Sequence, residues 1–339
     1  MKSLTEILSS AALGISLFIS GCMLSHLPYV YKKLETIETV SVYPRETSDD
    51  LNYFLTARDS LDFISADKSV SSYTLKQTKQ GSLKIIKWNS QAERKPDVLI
   101  YLNGLESHGR WFSQVASQLA EQGIETHALD RRGSGVNMRI YGKGEDWISD
   151  IDKLVMKLRK EEQANIHIVS LCFGAKLATA YVSLHPNKIS SLIYISPGIE
   201  TKIKPSCLEK LTIGFATIFN NPYILVDSPI KDINLFSQDK EVLDTIKKDR
   251  LRIIAPRATD LFYGYDLLKK SRKTGKIIPP VLILYSDKDR ISDIPANFGF
   301  FTKFSSLIES KNFPDCQHSL PLEAPGKVSQ VIADWLRRY

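Results

Sequence analysis

The chain has 339 residues, 43% hydrophobic and 24% charged, ordinary globular composition with apolar material for one large core and a small accessory lobe. Its length does not by itself demand two domains. A formal net charge of +7, from 45 basic and 38 acidic residues, is spread along the chain without a basic block. This argues against nucleic acid as a partner and leaves a mildly basic surface with some attraction for anionic lipid head groups.

Residues 1–21 read as a signal peptide. Lys2 precedes an apolar, small-residue stretch at 7–21 that only serines interrupt. It falls short of the roughly 20 apolar residues that a comfortable bilayer span needs. Ile19-Ser20-Gly21-Cys22 resembles the bacterial lipobox. There a small residue before the cysteine admits the peptidase, and the thiol takes a diacylglyceryl chain. Lipidation of Cys22 is therefore expected, with the folded part held outside the cytoplasm at the bacterial cell envelope. An uncleaved anchor and an incidental apolar start are the alternatives. Lipidation leaves Cys172, Cys207 and Cys316, an odd remainder that points to a free thiol. Spacing does not establish a disulfide between Cys207 and Cys316.

Residues 22–75 are polar and patchy and read as a spacer. From residue 76 the pattern alternates as a parallel sheet with crossover helices requires. β-rich runs fall at 83–88, 98–102, 125–129, 167–170, 192–195 and 281–285, and helical stretches at 111–122, 147–161, 175–184 and 326–338. The run Val98-Leu99-Ile100-Tyr101-Leu102 is continuously apolar, as a strand buried on both faces must be. The alternation breaks over 199–255, where an apolar helical run (208–219), a proline-punctuated loop and a charged helix (239–249) suggest a cap inserted between core segments 76–198 and 256–339.

Four elements carry chemistry. After the strand at 98–102 comes Asn103-Gly104-Leu105-Glu106-Ser107-His108-Gly109, a glycine-containing loop of the kind that supplies an oxyanion-hole N–H, or an ordinary glycine turn. His108 is ambiguous within it. Next, His167-Ile168-Val169-Ser170-Leu171-Cys172-Phe173-Gly174-Ala175 resembles a nucleophile elbow, with Cys172 where serine usually stands and Ser170 where the first glycine stands. Small flanking residues suit the strained turn, and the helix N-terminus favours an anion at the nucleophile. The alternative is a small buried core cysteine, and Ser170 is a weaker nucleophile candidate. Leu105 and Phe173 are then the two main-chain oxyanion donors. Third, the strand at 281–285 runs into Ser286-Asp287-Lys288-Asp289, where Asp289 is the favoured acid and Asp287 the alternative. Last, His318 lies in a loop before the final helix. The order nucleophile, acid, histidine is that of one triad fold and not of the others.

With these residues in view, the stretch from 82 to 339 resembles the monoacylglycerol lipase and lysophospholipase branch of the α/β-hydrolases, the serine aminopeptidase S33-like group. Asn103 to Trp111 mirrors, one residue shorter, that family's His-Gly-x-Gly-Glu-His-Ser-Gly-Arg-Tyr loop. Asp130-Arg131-Arg132-Gly133-Ser134-Gly135 resembles its Asp-x-x-Gly-x-Gly turn. Phe236-Ser237-Gln238-Asp239 and Lys248-Asp249 resemble its Ser-x-Asp and Asp-Pro segments. The resemblance implies an α/β-hydrolase fold: a mostly parallel central sheet with helices on both faces and a small helical cap insertion. It implies hydrolysis of acyl esters of small-molecule or lipid substrates, with no metal and no organic cofactor. Two departures stand out, Asn103 for the family histidine and Cys172 for the serine. A thiolate attacks readily and leaves well, so an acyltransferase or thioesterase is the rival reading, and a non-catalytic lipid-binding lipoprotein the rival of another class.

Overall fold

The computed structural model describes residues 70–75, 82–90, 97–162, 165–274 and 279–339. The expected signal peptide, Cys22 and the spacer as far as residue 69 lie outside the described residues.

Eight strands among the described residues form one sheet: Val70–Leu75 (β1), Leu83–Trp88 (β2), Asp97–Leu102 (β3), Ile124–Leu129 (β4), Ile166–Leu171 (β5), Ser191–Ile195 (β6), Val281–Tyr285 (β7) and Ile308–Asn312 (β8). Their order is β1-β2-β4-β3-β5-β6-β7-β8. The β1–β2 and β2–β4 pairs are antiparallel, and every other pair is parallel. Six strands fall where the apolar runs predict them. β1 and β8 are additional: residues 70–75, counted with the spacer on sequence grounds, form an edge strand. Both are half-exposed edges, so neither needs an apolar run.

The interior strands show why the runs are apolar throughout. Along β3, Val98, Ile100 and Leu102 enter one apolar cluster, while Leu99 and Tyr101 enter another on the opposite face. Helices Gly144–Glu162, Gly174–Leu184, Ala258–Thr274 and Ile294–Phe304 contribute to the first cluster, and Ser113–Glu121 and Pro325–Leu336 to the second. A strand covered on both faces has no polar side to alternate with.

Between β6 and β7 the chain forms helix Cys207–Ile218, a short 3-10 turn at Ile233–Leu235, helix Lys240–Lys248 and then Ala258–Thr274. Ser206 and Glu209 cap the first of these reciprocally, each side chain bonding the other's main-chain N–H. Only Ala216 of that helix is fully buried, and Leu208, Leu211 and Ile218 are exposed, Ile218 by 80%. No helix among the described residues is long and apolar enough to cross a membrane.

The parallel strands deliver their loops to a common edge. β4 pairs on one side of β3 and β5 on the other, so the chain reverses its direction of winding at β3. In open α/β sheets such a switch point opens a crevice at the carboxyl ends of the strands.

Candidate active site

The chain leaves β5 through a turn that reverses within two residues. Cys172 has φ of +49°, in the left-handed region that side-chain-bearing residues rarely enter. Its backbone is fully engaged: the N–H donates to Ile195 O at 3.1 Å, and the C=O accepts from Gly198 N at 2.9 Å and Ala175 N at 3.0 Å. Strain that is over-determined in this way marks functional turns. Two glycines make it sterically feasible. A Cβ on Gly174 would lie 2.4 Å from Leu102 O, and one on Gly198 would lie 2.8 Å from the Cys172 carbonyl carbon. Ser170 lies inside β5, wholly buried, with its hydroxyl unpartnered among the described residues. The helix Gly174–Leu184 starts immediately beyond, so its N-terminal dipole points at the elbow.

The loop after β3 lies against this turn, since a Cβ on Gly104 would approach Cys172 Cβ to 3.4 Å. Asn103 organises it, with Nδ2 donating to Ser107 O at 2.6 Å and Oδ1 accepting from Arg131 N at 3.3 Å. Gly104 N donates to Ser107 Oγ at 2.8 Å. The N–H groups of Leu105 and Phe173 have no acceptor among the described residues. His108 caps the 3-10 turn Gly109–Phe112, and its Nε2 meets Asp249 Oδ2 at 2.8 Å. Trp111 Nε1 donates to the same oxygen at 2.7 Å.

Asp289, in the loop after β7, is completely buried. Its Oδ1 accepts from Ile291 N at 2.8 Å and Ser292 N at 2.9 Å, leaving Oδ2 for His318 Nδ1 at 2.8 Å. Asp287 is exposed and pairs with Asn312 instead. The His318 main-chain N–H donates to Phe236 O at 3.2 Å, and Cys172 is near enough to its ring to act on it electrostatically. With Nδ1 committed to Asp289, Nε2 is the nitrogen left for the sulfur. Burial opposes a charge on His318, but the Asp289 carboxylate, joined by the neighbouring Cys172, holds the ring well above the ordinary 6.5. Burial likewise opposes ionisation of Asp289, yet His318 and the two N–H donors pull its carboxyl below the usual range.

Sequence reasoning missed several residues around this cluster. Glu106, buried beside Leu105, pairs with Arg252 (Oε2 to Nη2, 2.7 Å) and accepts from Ser228, while its own carbonyl accepts from Ile253 N at 3.0 Å. Burial still leaves its carboxyl raised despite Arg252. Lys176 is half-buried beside the elbow, donating to Gly198 O and, at 2.9 Å, to Ile199 O. Burial pushes its ammonium down to about 8, with Cys172 and Glu200 opposing. Arg131 reaches the loop after β3 from the turn after β4. No local motif marks these contacts, because each joins separate strand ends.

Among the described residues Cys172, Cys207 and Cys316 are all free, Cys207 exposed and the other two buried. No group of three or more His, Cys, Asp or Glu side chains there could hold a metal ion.

A family model described as serine aminopeptidase, S33, matches residues 92–325. An uncharacterized abhydrolase domain-containing protein of Dictyostelium discoideum is 26% identical over 247 residues, 70% of this chain. The chain spans only 26% of that protein's length. A probable lysophospholipase L2 of Haemophilus influenzae is 23% identical over 215 residues, covering 58% of this chain and 69% of that one. Among solved structures, a soluble variant of monoglyceride lipase from Saccharomyces cerevisiae superposes with a TM-score of 0.68 at 15% identity, over 80% of this chain and 96% of that one.

Proposed function

The chain belongs to the serine aminopeptidase S33 family of α/β-hydrolases, and from that membership we propose that it is an acyl hydrolase using Cys172, His318 and Asp289 on carboxylic esters. The observation that carries this reading is the buried hydrogen bond between His318 and Asp289, with Cys172 at a strained elbow close enough to act on the His318 ring. His318 Nε2 takes the thiol proton, and the sulfur attacks the ester carbonyl carbon. The oxyanion accepts from the Leu105 and Phe173 N–H groups. The C–O bond then breaks, His318 returns the proton to the leaving alkoxide, and an acyl-thioester remains on Cys172. Water, deprotonated by His318, releases the carboxylic acid and restores the thiol. The lysophospholipase and monoglyceride lipase names of the relatives, with the apolar side chains exposed on Cys207–Ile218, support a lipid-like ester as substrate. The thiol favours a second reading, in which an acceptor alcohol replaces water or a thioester replaces the ester.

Incubation with a panel of acyl esters and acyl-thioesters should add one acyl mass to Cys172, read by intact-mass and peptide mass spectrometry. Iodoacetamide at neutral pH should label buried Cys172 ahead of exposed Cys207, and Cys316, pushed up to about 11 by burial, last. Equal, slow labelling of all three returns Cys172 to the core.

We further propose that Cys22 carries a lipid that holds the enzyme beside membrane substrates, supported by Ile19-Ser20-Gly21-Cys22. The parent should fractionate with the membrane, and Cys22→Ala should lose the lipid and leave residues 1–21 uncleaved, both read by intact mass. A parent protein that is soluble with Met1 intact overturns this.

A further inference from the structure

Arg131 stands in the turn after β4 and is only 3% exposed. Its guanidinium reaches the loop after β3, where Nη1 donates to Gly104 O and Nη2 to Leu105 O, both at 2.7 Å. The same group lies 5.3 Å from the centre of the Phe173 ring. Its main-chain N–H meets Asn103 Oδ1, so backbone and side chain hold one loop. A single residue thus touches both segments that would supply oxyanion donors.

The grip has a directional consequence. In a trans peptide the C=O and the next N–H point in opposite directions. Anchoring Gly104 O on Arg131 therefore turns the Leu105 N–H to the far side of that peptide, and Gly104 borders Cys172. A cation on the carbonyl also polarises the peptide, which strengthens its N–H as a donor. Burial costs the guanidinium dearly, and Asp260 and Asp130 offset this through their fields. Yet both of its terminal nitrogens are directed at neutral carbonyls, and Nε has no partner among the described residues. A guanidinium buried for stability alone is better served by a bidentate carboxylate.

We propose that Arg131 is the positioning residue of the oxyanion hole, aiming the Leu105 N–H through its grip on the Gly104 and Leu105 carbonyls and bracing Phe173 through its ring. The role rests on the reading of those two N–H groups as oxyanion donors. It makes acylation, which builds an oxyanion, depend on Arg131. Alkylation of the ionised thiol builds no oxyanion, because iodide is displaced at a saturated carbon, so once the thiol is fully ionised it does not depend on Arg131.

The test compares turnover of a short-chain p-nitrophenyl ester with the rate of Cys172 alkylation by iodoacetamide. Arg131→Met keeps bulk over Phe173 and removes the donors. Its kcat should fall about 10²–10³-fold with little change in KM, as for loss of one oxyanion donor. Its limiting alkylation rate at alkaline pH, where the thiol is fully ionised, should stay within about threefold of the parent, since loss of the field that Arg131 exerts on the thiolate shifts only the pH at which that limit is reached. Arg131→Lys, with one donor and the charge, should recover about tenfold or more of the loss. If Arg131→Met does not fold, Arg131→Lys carries the test by the same split between kcat and alkylation. Turnover and the limiting alkylation rate falling together would mean elbow damage and overturn the proposal. An unchanged kcat with Cys172→Ala inactive overturns the role of Arg131 alone. Parental turnover in Cys172→Ala overturns the reading of the site, and the role of Arg131 with it.

Discussion

Cys172→Ser is expected to lower turnover about a hundredfold or more on both a short-chain ester and an acyl-thioester. The elbow leaves no room to compensate. Both backbone polar groups of residue 172 are bonded, its φ is fixed at +49°, and Gly104 and Gly198 close around it. The Cβ therefore stays in place, and the shorter bond to oxygen draws the attacking atom back from the carbonyl, where small misplacements are costly. The proton inventory changes as well. A thiol can begin as the thiolate with His318 protonated, and the raised affinity of His318 for its proton fits that start. An alcohol needs a neutral His318 as base during attack. The kcat/KM of the serine variant should therefore rise with pH through the His318 ionisation, displaced to the alkaline side of the parent. Kinetics on both substrates across pH decide it. A serine variant as active as the parent on both refutes a thiolate-specific mechanism and favours plain lipase-like hydrolysis.

Asp289→Asn should lower kcat about 10³–10⁴-fold, whereas Asp287→Asn should stay within about threefold. The hydrogen bonds of Asp289 supply the reason. Ile291 N and Ser292 N both donate to Oδ1, so an asparagine carbonyl is held in that position and its amide faces His318. Nδ1 must then accept, the ring proton moves to Nε2, and no lone pair is left there for the Cys172 proton. The ionisations set the pH window. The lowered carboxyl of Asp289 contributes stability above the usual carboxylate range and loses it as acid protonates the folded group. The raised ring of His318 contributes below 6.5 and loses this only as pH climbs through its elevated folded value. The pair is intact across the neutral range, and thermal unfolding there should show the parent more stable than Asp289→Asn. If the two aspartate variants exchange their effects on kcat, the acid is Asp287.

The parts of this fold that read clearly from sequence are those buried on both faces. β3, β6 and β7 are apolar almost throughout, so their composition announces them, whereas β4 buries Glu125 and His127 by bonding them to one another at 2.7 Å. β8 carries Ile-Glu-Ser-Lys-Asn and owes its existence to its parallel pairing with β7, which leaves no mark on composition. Helix Ala258–Thr274 carries Gly264 in its interior, where the absent side chain makes way for the Phe173 ring, 2.4 Å from where a Cβ would lie. That reason is tertiary and invisible locally. The site divides in the same way. Cys172 and Asp289 each follow a strand that an apolar run marks, His318 precedes the final helix, and the fold joins His318 to Asp289 at 2.8 Å. Arg131, Gly198 and the Glu106–Arg252 pair act across the mouths of neighbouring strands, and one sequence does not show which strands neighbour which.

The contacts that tie the loop after β3 to the chain preceding helix Ala258–Thr274 span long stretches of sequence, 141 residues for His108 with Asp249 and 146 for Glu106 with Arg252. Closing segments of that length carries an entropic cost that must be met before the contacts return anything, so they belong among the late events of folding. A nascent chain that has already threaded β3 and even completed the cysteine elbow still lacks the partners that shape the mouth of the site. Chemical competence thus arrives with the last third of the polypeptide, and a half-made molecule carries its thiol without the means to acylate it.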